Sequence, residues 1–207
     1  SRRSAQRLVA ALVAARWLDR TGSTRRPTYR PGPLRQLIQV LPLHGLDEDR
    51  PWKREVAPLL DLPPHVALLV EHAYTELLNN AIDHSGGLQV TISVRQTPTH
   101  VQLLVSDDGC GIFDRIARSF AIDDPATAML ELAKGKLSSC PARHSGKGLF
   151  FVARLADVLE LHANRHAYRR LGWEGGGWQA GRPLPREGTS VFVAVALDTT
   201  VTLEALL

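Results

Sequence analysis

The chain has 207 residues, of which 44% are hydrophobic and 22% charged, so it is neither fibrous nor disordered and has room for one core with a small appendage. No apolar run approaches the ~20 residues that cross a bilayer, and Cys110 and Cys140 form neither a disulfide framework nor a zinc motif. These features predict a soluble, cytoplasmic protein without a membrane partner. The chain has no initiator Met, and we expect it to be a piece of a longer protein.

The positive charge is concentrated at the N-terminal end. Residues 1–35 carry nine arginines and one acidic residue, a net charge of +8, which leaves −4 for the other 172 residues. A basic end of this kind is typical of a module for an anionic partner. The alternative is a solvated arginine-rich surface, because the chain has 21 arginines and only four lysines.

The first elements are a basic helix and a basic ribbon. Residues 4–18 have apolar side chains at helical spacing, and residues 17–30 predict a short two-stranded ribbon. Together they resemble the recognition helix and wing of a winged helix-turn-helix domain, which implies that residues 1–33 bind DNA through the major groove and the phosphates. The alternative is a helix and hairpin that only pack on the next domain. The arginines assigned to DNA are Arg2, Arg3, Arg7, Arg25 and Arg26.

A long helix carries the first functional signal. Residues 34–62 predict a helical connector broken by prolines, and residues 65–84 have apolar positions every three or four residues, which predicts one helix. Its apolar stripe consists of Val66, Val70, Ala73, Leu77 and Ala81. A polar stripe beside it includes His72, Glu76 and Asn80. Asparagine is unfavourable in the middle of a helix, so a functional role is favoured over a merely solvated face.

Two glycine motifs follow. Residues 88–95 and 101–105 predict antiparallel strands, and the second leads into 107–111, where glycines allow close backbone approach and a carboxylate can accept from an amine. Residues 146–148 begin a later helix, whose N–H groups and dipole attract anions. Each motif alone is weak, because such turns and helix starts more often serve packing.

Taken in order, these motifs resemble the GHKL superfamily, which unites gyrase-type topoisomerases, heat-shock chaperones, histidine kinases and MutL-type repair proteins. The resemblance rests on residues 76–81, 107–111, 146–149 and 188–189. It implies an ATP-binding domain at residues 63–198 with the Bergerat fold, an α/β (α+β) two-layer sandwich with a mixed, largely antiparallel sheet covered on one face by helices. Residues 199–207 would begin a C-terminal helix or linker.

The resemblance also implies the role of each residue. Asn80 would coordinate Mg²⁺ together with the phosphates, and Asp107 would receive the adenine amine, assisted through water by Thr189. Residues 113–145 would form a lid over the nucleotide. The positions assigned to ATP are Asn80, Asp83, Asp107, Gly109, Gly111, Gly146, Lys147, Gly148, Leu149 and Thr189.

Glu76 is the predicted catalytic residue. It precedes Asn80 by one helical turn, where its carboxylate can orient a water or a hydroxyl for attack on the γ-phosphate. Asp83 resembles the hydrolytic branch of the superfamily, since kinases and anti-sigma factors more often have lysine there. We therefore expect a slow Mg-dependent ATPase that acts as the nucleotide switch of a DNA-binding transcription regulator, with a regulatory partner protein. Two alternatives stay open: a serine kinase of the anti-sigma-factor type, and a nucleotide-binding module without turnover.

Overall fold

The computed structural model describes residues 1–47, 49–134 and 148–206. The chain divides into two compact units, Ser1–Arg35 and Gln36–Leu207, which we call the N-terminal unit and the main unit. In the described part of the chain, no helix is both long enough and apolar enough to span a bilayer.

The N-terminal unit consists of a helix and a ribbon, as the sequence predicts. Helix α1 (Arg2–Ala14) precedes strands β1 (Leu18–Gly22) and β2 (Pro27–Pro31), which pair antiparallel. The Arg35 guanidinium lies 4.4 Å from the centre of the Trp17 ring and donates to the carbonyl of Ala15 at 3.0 Å. None of the residues of α1 is buried, so this unit has little core of its own.

The main unit contains one seven-stranded sheet in the order β3-β4-β5-β9-β6-β7-β8. All neighbouring pairs are antiparallel. The strands are β3 (Gln36–Pro42), β4 (Gln89–Gln96), β5 (His100–Asp107), β6 (Val158–Ala163), β7 (His166–Leu171), β8 (Trp178–Ala180) and β9 (Thr189–Ala196). The central strand β9 is the last along the chain, and it joins the β3-β4-β5 half of the sheet to the β6-β7-β8 half.

Helices cover one face of this sheet. They are α2 (Asp49–Pro51), α3 (Pro64–His84), α4 (Ile112–Phe120), α5 (Pro125–Ala133), α6 (Gly148–Leu155) and α7 (Leu203–Leu206), with a π-helical turn at Trp52–Val56 and a 3₁₀ turn at Ala57–Leu59. All five residues of the predicted apolar stripe of α3 are buried. Asp124 caps α5 and Pro125 is its first residue.

The core lies between α3 and the sheet, because alternate residues of each central strand point toward the helices. One buried row crosses the sheet through neighbouring strands, and its members are Ile92, Val105, Val191 and Leu161. A parallel row consists of Val94, Leu103, Val193 and Leu159. These cross-strand pairs fix the register, because a slip by one residue would turn every one of these side chains to the opposite face.

Strand β3 corrects the prediction of a helical connector at residues 34–62. Residues 36–42 instead form an edge strand paired along its whole length with β4. The segment is rich in apolar and β-branched residues, and Pro42 falls at its end, where a missing N–H is tolerated. Buried Gln96 holds the following segment by two hydrogen bonds with the backbone of Asp61, at 2.8 and 2.7 Å. The connector is therefore built into the main unit.

Candidate active site

The polar stripe of α3 lies at the edge of the core. Glu76, Asn80 and Asp83 are half-buried, while Leu77 and Ala81 between them are buried. The spacing of four and three residues sets the three polar side chains on one side of the helix. The structure therefore keeps them together on a partly accessible side of α3.

Glu76 reaches the start of helix α6. A methyl group placed on Gly148, the first residue of α6, would overlap the carboxylate of Glu76. Glycine thus permits the contact between a carboxylate of α3 and the N-terminal end of α6, where unsatisfied N–H groups favour negative charge. Leu149 next to it is buried in the core, so its side chain serves packing. The predicted positions Gly146 and Lys147 lie outside the described residues.

Asp107 ends strand β5 and is only 6% exposed. Its Oδ1 accepts hydrogen bonds from the backbone amides of Gly109 at 2.9 Å and Thr189 at 3.1 Å. Burial raises the pKa of Asp107, while the two amides and the nearby guanidinium of Arg186 act in the opposite direction. Within the described residues, both amide donors are on Oδ1, so Oδ2 is the oxygen that can serve a ligand.

The adjacent Asp108 has a different role. It is exposed, and its Oδ1 accepts from the backbone amides of Leu88 at 2.8 Å and Gln89 at 3.0 Å. These hydrogen bonds lower the pKa of Asp108. Asp108 therefore anchors the start of β4, and of the two consecutive carboxylates Asp107 is the one buried at the site.

The glycines after Asp107 allow close backbone approaches. A methyl group on Gly109 would overlap the carbonyl of Ser85, which also accepts from the amide of Cys110 at 2.9 Å. Gly111 has φ of +82° and immediately precedes α4, with the side chain of Asn164 against it. These contacts hold the loop 107–111 between the end of α3 and the β6-β7 turn.

Thr189 joins three elements at the first residue of β9. Its amide donates to Asp107, and its Oγ1 accepts from the amide of Ile112 at 3.0 Å. A direct hydrogen bond from the Thr189 amide thus joins the start of β9 to Asp107. No described residue accepts a hydrogen bond from the Thr189 hydroxyl, so its proton is available to a ligand.

Two residues of the site were not predicted from the sequence. Asn164 lies in the β6-β7 turn and has φ of +50°. Its Nδ2 donates hydrogen bonds to the carbonyl of Cys110 at 2.9 Å and to the Asp114 carboxylate. Its Oδ1 accepts a hydrogen bond from the amide of Gly188 at 3.0 Å. Arg186 donates to Ser106 and to the carbonyl of Asp107. An asparagine between two short strands is a turn signal that the sequence contained, but its partners lie 24 to 54 residues away.

The predicted site residues therefore form two groups in the main unit. One group surrounds the end of β5 and includes Asp107, Gly109, Gly111 and Thr189, and the other joins Glu76 to Gly148. The five arginines assigned to DNA belong to the N-terminal unit, and all are exposed. In the described residues, no group of three or more His, Cys, Asp or Glu side chains is arranged to hold a metal ion.

Known proteins are similar in sequence to parts of this chain. The nitrate/nitrite sensor protein NarX is 36% identical to this chain over 58 residues in Escherichia coli (strain K12), in Escherichia coli O157:H7 and in Shigella flexneri. That region is 28% of this chain, which spans about a tenth of the length of these curated relatives. The family model described as "Histidine kinase-, DNA gyrase B-, and HSP90-like ATPase" matches residues 65–199. This match covers more than half of the chain and includes strands β4 to β9, most of α3 and the loop 107–111, so the chain belongs to that ATPase family.

Proposed function

We propose that the main unit binds ATP with Mg²⁺ and hydrolyses it slowly. The observation that carries this proposal is Asp107, a buried carboxylate whose Oδ1 is fixed by two amides at the end of a strand. A carboxylate held in this way accepts a hydrogen bond from an exocyclic amine, and the glycines beside it leave room for a flat base. Because the chain belongs to an ATPase family, we assign adenine as the base that Asp107 contacts.

Asn80 and Glu76 are assigned to the phosphate end of the same nucleotide. An amide oxygen suits Mg²⁺, which binds through few protein ligands and takes the remainder from phosphate oxygens and water. The N-terminal end of α6 attracts phosphate, and Glu76 lies against it at Gly148. In hydrolysis, Glu76 takes a proton from the attacking water while the water oxygen forms a bond to the γ-phosphorus. The bond from that phosphorus to the bridging oxygen breaks, which releases ADP and inorganic phosphate.

The first experiment follows the phosphate. The chain is incubated with Mg²⁺ and γ-labelled ATP beside Glu76→Ala, Asp107→Ala and the matched control Asp108→Ala, whose carboxylate is exposed and points elsewhere. We expect free phosphate from the unchanged chain and from Asp108→Ala, bound but uncleaved ATP in Glu76→Ala, and no binding in Asp107→Ala. Equal hydrolysis by all four proteins would contradict the assignment.

The two alternative functions predict different fates for the label. A serine kinase of the anti-sigma-factor type retains ATP until a protein substrate is added and then transfers the label to a serine. A binding module without turnover retains intact ATP under all conditions, and Glu76→Ala leaves it unchanged. The half-buried Glu76 is common to hydrolysis and transfer, so the destination of the phosphate distinguishes the two.

We further propose that the N-terminal unit binds DNA and that nucleotide state controls this binding, with or without a regulatory partner protein. The support is its charge of +8 over residues 1–35, the exposure of all five assigned arginines, and a helix beside a two-stranded ribbon. Each arginine that neutralises a phosphate contributes roughly −0.9 to the slope of log affinity against log salt for duplex DNA.

The test measures duplex binding at several salt concentrations, with and without ATP. Arg25→Gln combined with Arg26→Gln should reduce the salt slope by about two if both contact phosphate. Arg118→Gln combined with Arg165→Gln removes the same charge from exposed positions of the main unit and is the matched control. Binding that does not weaken with salt, or that weakens equally in both variants, would overturn the assignment to residues 1–33.

A further inference from the structure

Arg186 forms hydrogen bonds with strand β5, which carries Asp107. It lies in the loop between β8 and β9 and is half-buried. Its Nη1 donates to the hydroxyl of Ser106 and its Nη2 to the carbonyl of Asp107, both at 2.7 Å. One guanidinium thus holds two consecutive residues of β5, in a fork that lysine cannot reproduce.

The residues that follow Arg186 hold Asp107 as well. The guanidinium also donates to the carbonyl of Glu187 at 3.1 and 3.2 Å, which closes the loop on itself. Gly188 has φ of +80°, and a methyl group there would overlap the carbonyl of Asp107. Thr189 then donates to the Asp107 carboxylate. Three of four consecutive residues therefore contact Asp107, and Arg186 is the only charged one among them.

The charge of Arg186 acts on a buried carboxylate. Burial raises the pKa of Asp107, and Arg186 is the charged group that lowers it again. Burial likewise lowers the pKa of Arg186, and Asp107 opposes that shift. Of the other acidic residues assigned to this part of the molecule, Asp108 is bonded to the start of β4, and Glu76 and Asp83 lie on α3.

We propose that Arg186 is a positioning residue of the nucleotide site, which keeps the Asp107 carboxylate oriented and ionised and thereby sets its preference for a 6-amino over a 6-oxo purine. This inference rests on the proposed function, in which Asp107 receives the adenine amine. An ionised carboxylate accepts from an amino group and repels a carbonyl oxygen. A protonated one can donate to that carbonyl, so loss of the Arg186 charge weakens the discrimination.

The experiment measures the binding of ADP and of inosine diphosphate with Mg²⁺ between pH 5 and 8. The proteins compared are the unchanged chain, Arg186→Gln, Arg186→Lys, Asp107→Asn and the exposed control Arg182→Gln. Thermal unfolding of each protein shows that it is folded at the temperature of the measurement.

The unchanged chain and Arg182→Gln should prefer ADP over the whole range. In Arg186→Gln, ADP binding should weaken roughly tenfold at pH 6, which is the order of one lost hydrogen bond to a charged group. As the pH is lowered, the ADP affinity of this variant should begin to fall at a higher pH than that of the unchanged chain. Binding of inosine diphosphate should change less, so the ratio of the two affinities falls. Arg186→Lys retains the charge and should keep the pH dependence of the unchanged chain while it binds ADP more weakly.

A purely structural role gives a different result. It weakens both nucleotides equally at every pH in Arg186→Gln, leaves their ratio unchanged, and overturns the proposal. Asp107→Asn separates this outcome from failure of the proposed function, because its amide can donate to a 6-oxo group and should shift the preference toward inosine diphosphate. If Asp107→Asn leaves the preference for ADP over inosine diphosphate unchanged, Asp107 does not contact the 6-position of the base. The proposed role of Arg186 is then also wrong.

Discussion

Asn164 offers a test of how the site is held together. Replacement by alanine removes three side-chain hydrogen bonds, to the carbonyl of Cys110, to Asp114 and from the amide of Gly188. A typical intramolecular hydrogen bond contributes about 1 kcal/mol, and Asp114 is exposed, so its bond lies at the low end. Alanine at φ of +50° adds about 1 kcal/mol of backbone strain. We therefore expect Asn164→Ala to lower the free energy of unfolding by about 3 kcal/mol.

Thermal and urea unfolding, followed by circular dichroism, measure this change. For a domain of this size, 3 kcal/mol corresponds to a decrease in Tm of about 6–12 °C. Asn164→Gly loses the same hydrogen bonds but accepts the positive φ, so its loss should be smaller than that of alanine. Arg165→Ala changes the exposed neighbour in the same turn and serves as the control. A loss below about 0.5 kcal/mol for Asn164→Ala, or an equal loss for glycine and alanine, would refute the reasoning.

Three further predictions concern other contacts. Gly148→Ala displaces the end of the flexible Glu76 side chain rather than backbone, so the free energy of unfolding should change by less than about 1 kcal/mol. Phosphate release should nevertheless fall roughly 100-fold, because Glu76 is moved from the reacting water. Unchanged release would contradict a role of the Glu76–Gly148 contact in hydrolysis. Gln96→Leu removes both hydrogen bonds between this buried side chain and the backbone of Asp61 and should lower the free energy of unfolding, measured in urea, by about 2 kcal/mol. Asp108→Asn should lower stability at neutral pH, and this loss should shrink as the pH falls below the ordinary value of 3.8, because hydrogen bonds depress the pKa of Asp108 in the fold and its contribution is lost as the pH falls through that depressed pKa. A loss that does not change with pH would show that the charge of Asp108 has no role.

Short-range sequence patterns were sufficient to predict the helices and strands in which apolar residues recur at a regular spacing. The apolar stripe of α3 repeats every three or four residues, and β4 alternates, so both follow from neighbouring side chains and the period of the backbone. The glycines at 109 and 111 were predicted for the same reason, because glycine at a strand end marks a close approach whatever the partner is.

The amino-acid sequence by itself determined the family, the long helix and the order of the nucleotide motifs. Tertiary structure decided that residues 36–42 form a strand, since an edge strand depends on a partner, here more than 45 residues away in β4. Tertiary structure also sets the difference in burial between Asp107 and Asp108 and brings different backbone amides to the two carboxylates. Asn164 and Arg186 belong to the site because the sheet order places their loops beside the end of β5. Contacts across 24 to 82 residues depend on how strands pair, which no local period encodes.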